Sequence, residues 1–405
     1  MSMEEECVAV ISINQDYCSK CSICYSICPY EAINRDAETG KVEIDVQKCQ
    51  LCGICYSACP VFAIEIAYYN YRDLLDYVEK TRKKLGSETL VLMCRGNSPS
   101  TLEVEEILTE QGLSIKNYIP LRLPCSGRVP TEFVFKVLGS GIKNIVSIQC
   151  EDAFCRFKEG TKINTRRLFL GKKVLEQLGF SKDAVRVVKY SRKVVYDTTK
   201  CVGCDKCVFI CPYAAIEAEA FATPKILYDY CMGCGACALV CPHHAIQLKG
   251  FEFENVLKRY WESAYKLKAE GKSPVILVFC CQWSEFQALD NPESVLLKKN
   301  AVTLEVPCFK ALDPVHVVNA LNSGFDGVMA VVCPAEDCKL QEGRDTAERN
   351  ITVLKDYLKK ANLLERFELF ENSPRCTGAF EQKFNAFLKK IAAMKPLKPV
   401  KREAK

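Results

Sequence analysis

The feature that most constrains this 405-residue chain is a cysteine motif, C-x2-C-x2-C-x3-C-P, that occurs four times. Two residues between successive cysteines let three thiolates reach one face of an iron–sulfur cubane, and the cysteine before proline reaches the other cluster of a pair. The spacing therefore predicts two pairs of [4Fe–4S] clusters. The copies read CSKCSICYSICP (18–29), CQLCGICYSACP (49–60), CVGCDKCVFICP (201–212) and CMGCGACALVCP (231–242).

Each cluster is expected to take three cysteines from one motif and the last cysteine from its partner motif. Structural zinc is the alternative, but zinc motifs usually carry two separated C-x2-C pairs without a third step or a C-P ending. Glycines in three motifs suit a positive φ, whereas the first motif lacks glycine and its loop is expected to differ in detail. The predicted ligand sets are Cys18, Cys21, Cys24 and Cys59; Cys49, Cys52, Cys55 and Cys28; Cys201, Cys204, Cys207 and Cys241; and Cys231, Cys234, Cys237 and Cys211.

Composition limits the classes of protein to which the chain can belong. The chain has 27 cysteines, and its acidic N-terminus, MSMEEEC, does not read as a secretory signal. We therefore expect a cytoplasmic protein whose cysteines bind metal or clusters rather than form disulfides. The 55 basic and 50 acidic residues leave a net charge of +5, which is too small to indicate a nucleic-acid-binding protein. No apolar run approaches the roughly 20 residues of a membrane span.

The two halves of the chain repeat one another. Cys18 and Cys201 are 183 residues apart, and the same offset relates Cys125 to Cys308 and Cys150 to Cys333. A period this long is a complete unit rather than a solenoid repeat, so the sequence predicts an internal duplication. The predicted domains are 1–67 and 191–250, each with two clusters, 68–190 and 251–394, each of α/β type, and a flexible tail at 395–405.

In each α/β segment, strand and helix patterns alternate, which predicts an open parallel sheet with helices on both faces. Cysteines follow three of the predicted strands, and a fourth cysteine lies five residues further on. Because ligands bind at the carboxyl edge of such sheets, where neighbouring strands lie about 4.8 Å apart, these thiols are expected to converge. The candidates are Cys94, Cys125, Cys150 and Cys155 in the first half and Cys280 or Cys281, Cys308, Cys333 and Cys338 in the second.

Two family resemblances follow from these residues. Residues 1–67 and 191–250 resemble bacterial-type ferredoxins, and residues 87–190 and 272–390 look like the small iron–sulfur subunit, MvhD, of methyl-viologen-reducing hydrogenase. The MvhD pattern has an early C-C-x-W-C, a middle C-S-G-R and a late C-x4-C followed by E-G. The resemblance implies one [2Fe–2S] cluster per copy and electron relay to the flavoprotein HdrA of heterodisulfide reductase.

The two copies depart from the MvhD pattern in different places. The first keeps CSGR at 125–128 but reduces the early motif to Cys94, whereas the second keeps CCQW at 280–283 and has CFKA at 308–311. Both keep the late C-x4-C with its E-G, as Glu159–Gly160 and Glu342–Gly343. Ser98 and Ser284 stand where the family has the last cysteine of the early motif. Zinc, or inert buried cysteines, are the alternatives at these two sites.

The fold class predicted is α/β plus α+β, with two ferredoxin-like domains alternating with two open-sheet α/β domains. The predicted function is an electron-transfer subunit with four [4Fe–4S] and one or two [2Fe–2S] clusters. It would join a hydrogenase- or formate-dehydrogenase-type oxidoreductase to an HdrA-like flavoprotein in a cytoplasmic hetero-oligomer. The alternatives are an enzyme that reduces a disulfide or thiol at a site with a spare cysteine, such as Cys280 or Cys281, and a zinc-containing assembly protein. Cys7 and Cys376 fit no motif.

Overall fold

The computed structural model describes residues 8–97, 99, 101–219, 222–284, 301–340, 342–377 and 379–400. The chain forms two compact units, one within residues 7–191 and the other from residue 192 onward. Cys7 and Ser98 lie outside the described residues, as does the side chain of Cys376.

The first unit combines a small domain, built on two antiparallel strand pairs, with an α/β domain. The small domain pairs β2 with β5 and β3 with β4, both antiparallel, around two five-residue helices. The elements of this unit are β1 (Val8–Ala9), β2 (Ile11–Ile13), α1 (Ile23–Ile27), β3 (Ile33–Arg35), β4 (Val42–Ile44), α2 (Ile54–Ala58), β5 (Ile64–Ile66), α3 (Tyr71–Leu85), β6 (Thr89–Cys94), α4 (Thr101–Glu110), β7 (Tyr118–Leu123), α5 (Thr131–Gly139), β8 (Asn144–Cys150), α6 (Gly160–Gln177) and β9 (Val185–Tyr190).

The second unit has the same two kinds of domain. Its small domain pairs β10 with β13 and β11 with β12, again antiparallel. The elements are β10 (Val194–Tyr196), α7 (Lys206–Ile210), β11 (Ile216–Glu217), β12 (Lys225–Ile226), α8 (Ala236–Val240), β13 (Ile246–Leu248), α9 (Phe253–Ala269), β14 (Ile276–Cys281), β15 (Ala301–Val306), α10 (Val315–Asn322), β16 (Gly327–Val332), α11 (Gly343–Lys360), β17 (Phe367–Glu371), β18 (Cys376–Thr377) and α12 (Ala379–Ala392).

Each α/β domain is built on a four-stranded parallel sheet. The strand orders are β7-β6-β8-β9 and β15-β14-β16-β17, so the first strand in sequence lies inside the sheet in both units. In the first unit, α3, α5 and α6 cover one face through Leu74, Phe133 and Leu168, and α4 covers the other through Leu108. The parallel sheets and the small domains of paired antiparallel strands agree with the predicted fold class.

The second sheet is covered on one face by a helix that the sequence interpretation does not include. Phe380, Phe384 and Phe387 of α12 pack against Ile276 and Val278 of β14. In the first unit the corresponding face packs against α4. The C-terminal helix therefore completes the core of the second α/β domain, and the predicted end of the structured region at 394 falls just after it.

A buried histidine links α9 and α10 in the second unit. His316 is 2% exposed, its ring lies 4.4 Å from the ring of Phe253, and its Nδ1 lies 3.2 Å from the Tyr260 hydroxyl. Burial, followed by the charge of His244, lowers the pKa of His316 to about 4. The folded chain therefore holds this imidazole neutral at a pH where the unfolded chain protonates it.

Because the folded pKa lies below the unfolded pKa, the stability that His316 contributes is present above pH 6.5 and is lost as the pH falls toward 4. Between pH 7.5 and pH 5.5 we expect the wild type to lose about 1 kcal/mol more stability than His316→Phe, which cannot be protonated. Urea unfolding of both proteins at the two pH values measures this difference. Equal losses in the two proteins would contradict the assignment.

Within the part of the chain that the structure describes, no helix is both long and apolar enough to cross a lipid bilayer.

Candidate iron–sulfur sites

Four cavities are each lined by four cysteines. The cysteines of each cavity are one of the four predicted sets. We call two of them the inner sets, Cys28, Cys49, Cys52 and Cys55 in the first unit and Cys211, Cys231, Cys234 and Cys237 in the second. The outer sets are Cys18, Cys21, Cys24 and Cys59, and Cys201, Cys204, Cys207 and Cys241.

The backbone of every motif adopts the same loop. Two residues per motif have positive φ, one between the first two cysteines and one between the second and third. The prediction that the first motif differs because it lacks glycine is wrong: Lys20 and Ser22 hold φ of 57° and 61°. A non-glycine residue in this region costs on the order of 1 kcal/mol. The positions are Lys20 and Ser22, Leu51 and Gly53, Gly203 and Asp205, and Gly233 and Gly235.

The inner and outer sets differ in exposure. In the first unit Cys49, Cys52 and Cys55 are buried, whereas Cys21 of the outer set is exposed. In the second unit all three cysteines of the inner motif are buried and Cys204 of the outer set is exposed. Burial raises the pKa of Cys55 and Cys237 well above that of a free thiol, so ligand binding at the inner sets must release protons.

The first unit gathers a further thiol set at the carboxyl edge of its sheet. Cys94 and Cys150 end the neighbouring strands β6 and β8, and their sulfurs lie 3.4 Å apart. Cys125 follows β7, and a hydrogen bond between Cys125 and Cys94 raises the pKa of Cys94, with burial, to about 12. Cys155 follows a short 3-10 turn, and burial, then the neighbouring Cys150, raises the pKa of its thiol. The structure therefore brings together the four thiols predicted here, which we call the first sheet-edge set.

The second unit has an equivalent sheet-edge set, Cys281, Cys308, Cys333 and Cys338. The sulfurs of Cys281 and Cys333 lie 4.0 Å apart, and Cys308 and Cys338 both lie against Gly343. Burial, then the neighbouring Cys338, raises the pKa of Cys308 to about 12.

Strand register decides between Cys280 and Cys281. Cys94 pairs with Leu123, two residues before Cys125, and Cys281 pairs with Val306, two residues before Cys308. Cys281 is thus the counterpart of Cys94, at an offset of 187 residues. Because side chains alternate along a strand, Cys280 faces the opposite side of the sheet, where it packs in the apolar core under α12. Its inclusion among the candidate ligands is therefore corrected.

The register gives a direct test with a matched control. Cys281→Ala is expected to remove the cofactor of the second sheet-edge set, lowering bound iron by about two atoms for a [2Fe–2S] cluster. Cys280→Ala deletes the same atom from the adjacent, equally buried residue and is expected to leave the iron content unchanged. Iron and acid-labile sulfide per chain are the measurements. An iron loss in Cys280→Ala instead would show that the strand faces the other way.

Glycine at the start of α6 and α11 is required by the space available there, a feature that the sequence shows only as part of the E-G motif. A Cβ added to Gly160 would lie 2.2 Å from Cys125 Sγ, and one added to Gly343 would lie 3.0 Å from Cys308 Sγ. Contacts below 3.0 Å are not found for real Cβ atoms, and 3.0 Å is already tight. The absence of a side chain at these two glycines leaves space for the cysteine sulfur atoms, or for a group bound to them.

The inner and sheet-edge sets of each unit adjoin one another. In the second unit, Cys234 of the inner set packs in one cluster with Cys308 and Leu340, and Cys338 packs against it. In the first unit, Cys52 and Cys125 are close enough for each to raise the pKa of Tyr30, after the larger effect of burial. Ser57 donates a hydrogen bond of 2.7 Å to the carbonyl of Gly127, which joins α2 to the loop after Cys125.

The thiol sets fit iron–sulfur clusters by their donor chemistry, since soft thiolate ligands in sets of four are those that such clusters use. Among the described residues, no three His, Cys, Asp or Glu side chains are grouped for a single metal ion. A cubane does not need that arrangement, because each of its four irons takes one thiolate.

The fold and these sites define an iron–sulfur protein with two 4Fe–4S dicluster domains, whose sequence profiles match residues 10–60 and 194–248. A further profile, described as methyl-viologen-reducing hydrogenase, delta subunit, matches residues 90–202 and 276–395, which is more than half of the chain. The chain therefore belongs to the methyl-viologen-reducing hydrogenase delta subunit family.

Similar proteins come from two kinds of complex. Over 207 residues, 50% of this chain, it is 33% identical to the A subunit of the ferredoxin/F420H2-dependent CoB-CoM heterodisulfide reductase of Methanosarcina acetivorans. It is 37% identical over 88 residues, 21% of this chain, to the iron-sulfur D subunit of the F420-non-reducing hydrogenase of Archaeoglobus profundus. The matches cover 25% of the reductase relative and 64% of the hydrogenase relative, so this chain spans only part of either.

Proposed function

We propose that this chain is a multi-cluster electron-transfer subunit that connects an oxidoreductase of hydrogenase or formate-dehydrogenase type to an HdrA-like flavoprotein. The observation that carries the proposal is the adjacency of the inner and sheet-edge thiol sets within each unit, seen in the packing of Cys234 with Cys308. The similarity to one subunit of a heterodisulfide reductase and to one subunit of a hydrogenase supports both ends of the relay.

The residues proposed to hold four [4Fe–4S] clusters are those of the two inner and two outer sets. The two sheet-edge sets are proposed to hold one or two further clusters of [2Fe–2S] type. When bound, each such cluster takes up and releases one electron at a potential set by cluster type, hydrogen bonds to sulfur and solvent exposure.

The exposure of the cysteines suggests the order in which electrons pass through the thiol sets of each unit. The outer sets present an exposed cysteine, Cys21 or Cys204, at the surface where a redox partner can approach. The inner motifs are buried, and the sheet-edge thiols Cys125 and Cys308 are buried beyond them. Electron exchange with a partner is therefore proposed to begin at an outer set and to end at a sheet-edge set, or to run in reverse.

The four-domain arrangement, with boundaries at 67/68, 190/191, 250/251 and 394/395, is part of this proposal, as is its origin by duplication. Equal strand order in the two sheets and the shared register of Cys94 and Cys281 support it. A cytoplasmic location stays a prediction.

A thiol or disulfide reductase is the competing function, and the feature that motivates it is a spare cysteine at the second sheet-edge site. Cys280 lies in the apolar core instead, so this observation does not favour a substrate site.

The test is anaerobic purification of the native chain from its own cells, followed by identification of stoichiometric partners and by flavin analysis. We expect a flavoprotein and an oxidoreductase to copurify, and reduced chain to pass electrons to that flavoprotein. A free monomer with no flavoprotein or oxidoreductase bound would contradict the proposal, as would turnover of a disulfide by the isolated chain.

A further inference from the structure

An arginine is buried between the two thiol sites of the first unit. Arg128 is 1% exposed, and its guanidinium donates hydrogen bonds to the carbonyls of Tyr68, at 3.0 Å, and Leu51. It lies 5.9 Å from the centre of the Tyr69 ring and, within the described part of the chain, forms no salt bridge. Arginine is almost never fully buried unless it is paired, so this charge calls for a negative partner.

The position of Arg128 relates it to both thiol sites. It lies three residues after Cys125 of the sheet-edge set, and its side chain fills the space above Gly53, where a Cβ would lie 2.5 Å from Arg128 Nε. Gly53 itself stands between Cys52 and Cys55 of the inner set. Thiolates at Cys52 and Cys125 favour the charged form of Arg128 against the larger opposing effect of burial.

The second unit also buries a cation here, but from the neighbouring position of the loop. The counterpart of Arg128 is Ala311, which packs against Gly235 so closely that a Cβ there would lie 2.4 Å from Ala311 Cβ. The preceding residue, Lys310, is 1% exposed, and its Nζ lies 5.7 Å from the centre of the Tyr213 ring. Its charge lowers the pKa of both Cys234 and Cys308, opposing the larger effect of burial.

The two units therefore place a buried positive charge between an inner set and a sheet-edge set by different residues. Contact with the inner-set glycine alone does not require a charge, because Ala311 makes that contact in the second unit and a cation is still buried one residue earlier. Thiolate-ligated clusters are negative groups beside both cations, and their net charge becomes more negative on reduction. In a low-dielectric interior a nearby cation stabilises the reduced form more than the oxidised form.

We propose that the buried charges of Arg128 and Lys310 raise the reduction potential of the cluster held by the adjoining inner set, and so favour electron transfer from the outer set to the inner set. This inference rests on the proposed function, since it requires clusters at the inner sets.

The test is potentiometric titration of the full-length, iron-loaded chain, followed by electron paramagnetic resonance. Lys310→Met and Arg128→Gln remove the charge, and Lys310→Arg and Arg128→Lys keep it. We expect each neutral variant to make reduction of one inner cluster at least about tenfold less favourable, a shift of about 59 mV to lower potential for a one-electron couple. The charge-keeping variants are expected to shift it by less than half as much.

Each shift is assigned by combining the variant with loss of the cluster concerned. The signal moved by Arg128→Gln should vanish when Cys55→Ala is added, whereas the signal moved by Lys310→Met should persist. Because Arg128 also bonds two carbonyls, Lys310→Met decides the question if Arg128→Gln fails to take up iron. Neutral variants with full iron content and potentials unchanged from wild type would overturn this inference while leaving the proposed function standing. A wild-type chain without four-iron signals would overturn both.

Discussion

Replacing Cys55 by alanine is expected to lower the iron content of the chain by about four atoms, the content of one cubane. Cys55 lines the inner cavity of the first unit with Cys28, Cys49 and Cys52, and three of these four cysteines are buried. A buried cubane that loses one of four thiolates cannot recruit water in its place as readily as an exposed one can. The other three cavities share no cysteine with this one, so their clusters are expected to remain.

Cys280→Ala is the matched control, because it also removes one sulfur atom from a buried cysteine, but from one that lies in the apolar core. Iron, acid-labile sulfide and the visible absorption of both variants are compared after identical anaerobic reconstitution. Equal iron in the two variants would show that Cys55 is not a ligand. Loss of all iron would show that the four sites assemble together rather than one by one.

Replacing Gly160 by alanine is expected to empty the first sheet-edge set while sparing all four cubanes. A Cβ at this position would lie 2.2 Å from Cys125 Sγ and 3.9 Å from Cys155 Sγ. Cys125 is fully buried and its loop is held by the hydrogen bond between Ser57 and Gly127, so the sulfur has little room to move aside. The added methyl group therefore displaces a thiol or the group that it binds.

Gly139→Ala is the control for this substitution, since Gly139 ends α5 in the same domain and has nothing within 4 Å of an added Cβ. Mössbauer spectra of the chain loaded with ⁵⁷Fe separate the [2Fe–2S] from the [4Fe–4S] contribution. We expect Gly160→Ala to lose the part of the [2Fe–2S] contribution that comes from the first sheet-edge set, and Gly139→Ala to keep both contributions in full. A full [2Fe–2S] signal in Gly160→Ala would contradict the assignment of Cys125 as a ligand.

The features that depend on local spacing could be predicted from the sequence. The C-x2-C-x2-C-x3-C-P motif predicts which thiols share a cavity. Its loop is short and is followed by a short helix and a proline, so few other groupings of the thiols are possible. The alternation of strands and helices likewise predicts that Cys94, Cys125 and Cys150 meet at one sheet edge. Both predictions follow from contacts within, or between adjacent, elements of the chain.

The features that sequence reasoning missed depend on contacts between distant segments. The choice of Cys281 over Cys280 depends on strand register, and the core position of Cys280 depends on α12, about 100 residues away. The burial of Arg128 depends on carbonyls some 60 to 77 residues earlier in the chain. In the second copy CFKA replaces CSGR and the arginine is lost, yet Lys310 buries a positive charge at the neighbouring position of the same loop.

Metal analysis of the anaerobically purified chain decides whether its six thiol sets hold iron–sulfur clusters. We expect about 16 iron and 16 sulfide atoms per chain from four cubanes, with about two to four more of each from the sheet-edge sets. Mössbauer spectra should show both cluster types. Zinc in place of iron in the sheet-edge sets would contradict the [2Fe–2S] assignment, and iron well below 16 atoms in a folded, fully reconstituted chain would contradict the relay itself.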